Sequence, residues 1–185
     1  MDIKEPDTCF LQGKTIRLRA LEPEDLDLLY QLENDTAHWE HGAANVPYSH
    51  AALRQYLSEN QSNIYLDGQV RLVIEEIESG TAMGCIDLFD YSARHQRAEI
   101  GIAVLPEYRR RGLARQALDL LLHYAFSFLG LHQVYAYVAE TNMPSCRLFH
   151  EAGFVYSALL PDWICVGTAY RNVILYTKIS PFVFR

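Results

Sequence analysis

The chain has little cysteine, little positive charge and no long apolar run, and each shortage removes a class of protein. Its four cysteines, Cys9, Cys85, Cys146 and Cys165, show neither the paired spacing of zinc ligands nor the density of a secreted disulfide scaffold. They read as free thiols in a reducing compartment, which points to a cytoplasmic protein. A formal net charge of −7 sets the overall field against nucleic acid and anionic membrane. No stretch approaches the ~20 apolar residues of a membrane span, and Met1–Asp7 is charged and broken by Pro6 where a signal peptide would be apolar. The phosphate motifs G-x-x-x-x-G-K-[ST] and G-x-G-x-x-G are both missing. His38 and His41 have no companion ligands nearby in sequence, so no metal site is expected. Repeats, low-complexity tracts and linkers are also lacking, so residues 1–185 read as one domain with a short N-terminal extension over 1–13.

What is present is a chain of 185 residues, 50% hydrophobic, enough for one substantial core. Thr15–Arg19 alternates apolar and charged residues as a half-exposed strand does, and Leu21–Leu26 reads as a turn into a helix that reaches Glu33. Thr36–Tyr48 reads as a polar and aromatic loop. Ser49 is a plausible N-cap for a second helix with Ala52, Leu53, Tyr56 and Leu57 inward. Val70–Ile77 and Thr81–Phe89 form a hairpin around Gly80, and Ala98–Val104 is the next strand. Ala114–Leu129 follows the i, i+3, i+4, i+7 rule of a helix and is stopped by Gly130. A strand at Val134–Val138, a helix at Asn142–Ala152 and strands at Phe154–Val166 and Tyr170–Ile179 complete an α/β (α+β) layout with a mixed sheet.

The chemistry concentrates at Leu105–Ala114. A strand that ends in a loop and opens a helix leaves backbone N–H groups unpaired at the positive end of the helix dipole, a ready phosphate site. Arg109, Arg110 and Arg111 add local positive charge to an acidic chain, and Gly112 removes a Cβ from the approach to the backbone.

Arg109–Ala114 resembles the Q/R-x-x-G-x-G/A pyrophosphate loop of the GNAT superfamily of acyl-CoA-dependent N-acetyltransferases. Asn142–Phe154 is similar to that superfamily's N-x-x-S/A-x-x-L-Y/F-x-x-x-G-F segment after the fifth strand. Ile16–Leu26 looks like the opening of the spermidine and ribosomal-protein N-acetyltransferases, and Arg97–Ile100, Pro106–Tyr108 and Tyr170–Asn172 look like the spermidine branch in particular. The resemblance covers nearly the whole chain. It implies a mostly antiparallel seven-stranded sheet splayed between strands 4 and 5 with about four flanking helices, and acetyl-CoA as co-substrate. The pantetheine arm would lie along Ile102, Ala103 and Val104. The pyrophosphate would take N–H donors from Arg111, Gly112, Leu113, Ala114 and Arg115, and Asn142 and Ser145 would lie near the cofactor.

The same resemblance implies transfer of an acetyl group to a primary amine, such as that of a polyamine, by direct attack in a ternary complex. An alkylamine with pKa near ~10 must first lose a proton. Glu99 is the candidate base, with an ion pair to Arg97 or Arg94 as the alternative. The family's usual general acid, a tyrosine, is here Phe149, which has no proton to give, so a water, His150 or Tyr156 would have to substitute. Glu33, Asp35, Glu40, Asp87 and Asp90 could attract a cationic amine with Trp39 or Tyr91 packing against it, or could be ordinary solvated acids beside a buried tryptophan. A protein N-terminal or lysine acetyltransferase and a non-catalytic acetyl-CoA-binding module are the competing readings. Because the spermidine branch forms oligomers, the resemblance leaves a homo-oligomer open.

Overall fold

The computed structural model describes residues 10–39, 46–60 and 63–182. Strand β1 (Ile16–Ala20) leads through a 3-10 turn at Pro23–Asp25 into helix α1 (Leu26–Glu33). Its alternation buries Ile16 and Leu18 and leaves Arg17 and Arg19 on the other side, as period two requires. The Arg19 guanidinium grips both carboxylate oxygens of buried Asp25 at 2.7 and 2.8 Å and also meets Glu75. That ion cluster fixes the turn against the sheet, so the entry angle of α1 is set by charge pairing as well as by Pro23.

Thr36–Tyr48 departs from a pure loop, because Thr36–Trp39 winds into a short helix, α2. Helix α3 (His50–Glu59) begins at Ser49, whose hydroxyl accepts from the Ala52 N–H at 3.1 Å. Leu53 is its buried contact, Tyr56 and Leu57 are half-buried, and Ala52, expected inward, lies in solvent. A single turn, α4 (Ile64–Asp67), buries Ile64 ahead of the sheet; four residues are too few to register as a periodic pattern.

Strands β2 (Val70–Glu76) and β3 (Ala82–Ser92) form the expected hairpin, followed by β4 (Arg97–Val104). Helix α5 (Leu113–His123) ends in a wider π turn over Tyr124–Phe128 rather than running as a regular helix to Leu129. The turn closes through the Leu129 N–H to the Tyr124 carbonyl at 3.0 Å and keeps Ala125 and Phe126 buried. Then come β5 (Gln133–Ala139), α6 (Met143–Glu151), β6 (Val155–Val166) and β7 (Ala169–Ile179). They complete one seven-stranded sheet in the order β1-β2-β3-β4-β5-β7-β6, antiparallel except for β4 with β5.

Alternate residues feed two cores on opposite faces of the sheet. Leu72, Ile74, Ile86, Leu88, Ile100 and Val134 pack with α5 and with Phe149 of α6. Val73 and Cys85 pack with Leu28, Leu29 and Leu32 of α1 and Leu53 of α3. The α1/α3 layer meets the β2–β4 half of the sheet, and Tyr137 of β5 on the same face stays exposed.

Near the end of β4, β3 and β4 approach so closely that a Cβ at Gly84 would stand 2.3 Å from the Ala103 carbonyl oxygen and 2.9 Å from the Val104 Cα. Both obstacles are backbone, so they cannot step aside cheaply. Gly84→Ala is expected to lower stability by about 1–3 kcal/mol, the range for overpacking, with β4 displaced. Urea denaturation measures the first, and an unchanged midpoint would contradict the packing described.

Candidate active site

The two parallel strands at the middle of the sheet pair for only three residues. Arg97, Ala98 and Glu99 stand opposite Gln133, Val134 and Tyr135, and beyond that point the strands part. β4 continues on β3 as far as Val104 opposite Gly84, and β5 continues on β7 as far as Ala139 opposite Val173. The inner edge of Ile100–Val104 therefore carries backbone groups that no strand satisfies, the kind of edge to which an extended amide-bearing ligand can add. Ile102 and Ala103 are half-buried on it, and Val104 is buried at its end.

From Val104 the chain passes through Leu105 and a 3-10 turn at Pro106–Tyr108 into the arginine loop. Gly112 is the N-cap of α5 at φ 74°, with no side-chain cap. The first helical bond runs from the Gln116 N–H to the Gly112 carbonyl at 3.2 Å, so the N–H groups of Leu113, Ala114 and Arg115 remain as donors at the positive helix end. A Cβ at Gly112 would touch nothing among the described residues. What favours glycine here is its left-handed backbone.

The arginines are less uniformly available than their sequence suggests. Arg109 turns back, its Nε donating to the Val104 carbonyl at 2.9 Å and its Nη2 reaching Asp35 at 3.1 Å. Arg111 donates to the Glu107 carbonyl at 3.0 Å and lies over the Tyr108 ring at 5.3 Å. Arg115 binds Asp119 and the Glu151 carbonyl, tying α5 to α6. Arg110, itself at φ 63°, makes no side-chain bond among the described residues and stands in solvent. Two of the three loop arginines thus hold the loop's shape, and one is left facing outward.

Three of the acids expected to meet an amine are engaged with arginine. Arg71 forms a bidentate pair with Asp87 at 2.9 and 3.0 Å and reaches Glu33 at 2.6 Å. Its guanidinium stays charged against the cost of burial because Asp87 and Glu33 face it. Asp35 pairs with Arg109. Trp39 donates its indole N–H to the Glu33 carbonyl at 2.8 Å, while Glu40 lies outside the described residues, as does His41.

Glu99 is different. It is half-buried, makes no ion pair with Arg97, Arg94 or any other described cation, and sits on the last pair before the strands part. Burial, with the nearby Asp90 charge adding to it, pushes its carboxyl up to about 7. Asp90, at φ 49° in a bulge of β3, accepts a hydrogen bond from the Tyr135 hydroxyl across β4. A carboxylate of that acidity at the apex of a cleft can take up a proton near neutral pH.

Phe149 is 3% exposed, edge-on to Phe154 at 5.0 Å and stacked near Tyr176 at 6.1 Å. It is a core residue under the fork. His150 is exposed, and Tyr156 is exposed against Tyr176. Asn142 caps α6 by accepting from the Ser145 N–H at 3.2 Å, so both residues are occupied in starting that helix. Tyr135, Tyr137, Trp163 and Arg71 were not singled out by sequence reasoning, although the i, i+2 spacing of the two tyrosines on a strand places them on one face.

Residues 15–155 match the acetyltransferase (GNAT) domain, and the chain belongs to that family. It is 29% identical over 162 residues to the spermidine N(1)-acetyltransferase of Vibrio cholerae, covering 85% of this chain and 89% of that one. The Escherichia coli K12 spermidine N(1)-acetyltransferase is also 29% identical, over 163 residues, covering 86% and 83%. A putative ribosomal N-acetyltransferase of Bacillus subtilis is 26% identical over 174 residues, covering 89% and 91%. The crystal structure of the Vibrio cholerae spermidine N-acetyltransferase in complex with CoA and spermine superposes with a TM-score of 0.83 at 26% identity, covering 91% of this chain and 97% of that one. The protein is an acyl-CoA-dependent N-acetyltransferase with acetyl-CoA as its co-substrate. The open β4 edge and the free N–H groups of α5 fit that molecule.

Gly112→Val places a β-branched side chain in a left-handed conformation costing roughly 1–2 kcal/mol. It is expected to weaken acetyl-CoA binding about tenfold or more by calorimetry, whereas Gly112→Asn, tolerant of that conformation, stays closer to the parent. Equal affinities for all three would contradict the loop geometry.

Proposed function

We propose that the chain acetylates the primary amine of a small cationic acceptor, a polyamine being the class to which the spermidine N(1)-acetyltransferase relatives point. The observation that carries this reading is Glu99, without an ion pair among the described residues and poised near neutrality beside Asp90 where β4 and β5 separate. Bound acetyl-CoA supplies an activated acetyl thioester. The free donors of Leu113–Arg115 hold its pyrophosphate and the Ile102–Val104 edge aligns its arm. Fixing both reactants at one fork supplies much of the rate. Glu99 takes the proton of the incoming ammonium directly or through water, and the neutral amine attacks. Asp90 and the carboxylate form of Glu99 also make the fork attractive to a cation. Phe149 leaves departure of the thiolate unaided or to solvent, which a thiol pKa near ~8.5 permits. The exposed flank beside Tyr137 gives some support to a protein amine as a second reading. Self-association is inferred from the dodecameric Vibrio cholerae relative, at TM-score 0.77 and 27% identity.

Thiol release from acetyl-CoA with polyamines, aminoglycosides, amino acids and N-terminal peptides tests the acceptor class. Polyamine turnover is expected, and turnover confined to peptides would overturn it. Because the base form of Glu99 grows as pH rises through about 7, kcat should fall on the acid side with an apparent pKa near that value. Glu99→Gln should lower kcat about 100-fold and abolish that limb; a mutant profile identical to the parent's would remove Glu99 from the role.

A further inference from the structure

Tyr135 and Tyr137 of β5 share the face of the sheet on which Glu99 lies, and they lead away from the fork toward Trp163. The Tyr135 and Tyr137 rings meet edge to face at 5.7 Å, and the Tyr137 and Trp163 rings lie 23° from parallel with centroids 6.2 Å apart. Trp163 belongs to β6, two strands away from β5, and an ordinary ladder would not bring it there. It lies within a bulge in β6 between Leu160 and Ile164, where Asp162 adopts φ 50°. Asn172 holds that bulge, its side-chain oxygen accepting from the Asp162 N–H at 3.1 Å and its amide donating to Glu140 at 3.0 Å. Bulges of this kind re-aim a side chain at the cost of local strain. The re-aimed indole is nevertheless 59% exposed, and Tyr137 is 41% exposed, so apolar burial does not account for it.

Resting on the acetyltransferase reading above, we propose that Tyr137 and Trp163 form the far wall of the acceptor groove and hold the second, non-reacting ammonium of a long diamine or polyamine whose first amine sits at Glu99. Exposed aromatic faces attract alkylammonium ions, tryptophan most strongly. Glu140 is engaged by Asn172 on the side of Ile174 and Tyr176 and Arg171 stands opposite Ile164 on β7, so the pull on a cation comes from the aromatic faces themselves. The two residues from Tyr135 to Tyr137 cover about 6.6 Å. With the 6.2 Å from Tyr137 across the sheet to Trp163, the wall ends at most about 13 Å from the fork. An extended chain gains about 1.2 Å per bond, so a separation of up to about ten bonds between the two nitrogens spans it. The methylenes between them would run over the exposed Tyr137 ring. A short diamine cannot reach both ends.

The test compares 1,8-diaminooctane with octylamine, which has the same chain and one cation, on the parent, Trp163→Ala and Trp163→Phe. Both substitutions are at an exposed position of an edge strand. The parent is expected to favour the diamine, 1,4-diaminobutane being much poorer. Trp163→Ala should lower kcat/KM for the diamine about five- to tenfold through KM, leave octylamine unchanged, and be largely rescued by Trp163→Phe. An unaltered diamine preference in Trp163→Ala would overturn the wall while leaving acetylation of amines intact. A phenethylamine that outcompetes the diamine in a Trp163-dependent manner would also overturn it, in favour of an aromatic acceptor. If no amine is turned over, calorimetric titration of CoA-saturated protein with the diamine still decides the matter. Tighter binding to the parent than to Trp163→Ala supports the wall, and equal binding refutes it.

Discussion

The short register between β4 and β5 is the constraint on which the site depends. Three paired residues fasten the two halves of the sheet together, and the remaining length of each strand is held only by its outer neighbour. A parallel pair that ran to its end would satisfy the Ile100–Val104 edge internally and leave no backbone for an amide-bearing ligand to join. Because both outer neighbours persist to the strand ends, the cleft is formed without leaving either half of the sheet unsupported. The same divergence brings the start of α5 to one end of the cleft and Glu99 to its apex.

Electrostatics in this chain are largely internal. Arg19 with Asp25 and Glu75, and Arg71 with Asp87 and Glu33, are buried or half-buried clusters that dock helices onto the sheet. Such pairs are costly to break and contribute geometry more than net stability. Their effect on function is subtractive: acids that could have drawn in a cation are neutralised by a buried arginine. Among the described residues, Glu99 and Asp90 are what remains at the fork, one without a counter-ion and the other held by a tyrosine hydroxyl. The arginine loop behaves in the same way, with Arg109 spent on the Val104 carbonyl and Asp35 and Arg111 on the Glu107 carbonyl. The backbone donors at the start of α5 and the Arg110 side chain are what the loop leaves uncommitted among the described residues.

Much of the architecture was legible because its signals are local. Alternation marked the strands, the Ser49 and Asn142 caps marked helix starts, and Gly112 before an apolar-periodic segment marked a left-handed entry to α5. Short or compensated features were not legible. The single turns at Thr36–Trp39 and Ile64–Asp67 lack a full period, and the π turn at Tyr124–Phe128 preserves the apolar spacing that suggests an ordinary helix. Arg71 gives no sign in one dimension that it will sit between Glu33 and Asp87.

The sequence by itself determined the family and the co-substrate, because both are carried by contiguous motifs whose chemistry depends on neighbours a few residues apart. Only the tertiary structure decided which charges survive for function and which aromatic groups gather around Glu99. Those outcomes depend on strand register: Arg71 stands opposite Asp87, Glu99 opposite Tyr135, and a bulge turns Trp163 toward Tyr137. A change of one residue in register moves a side chain to the other face of the sheet, and pairings between distant strands are set by the packing of the whole fold.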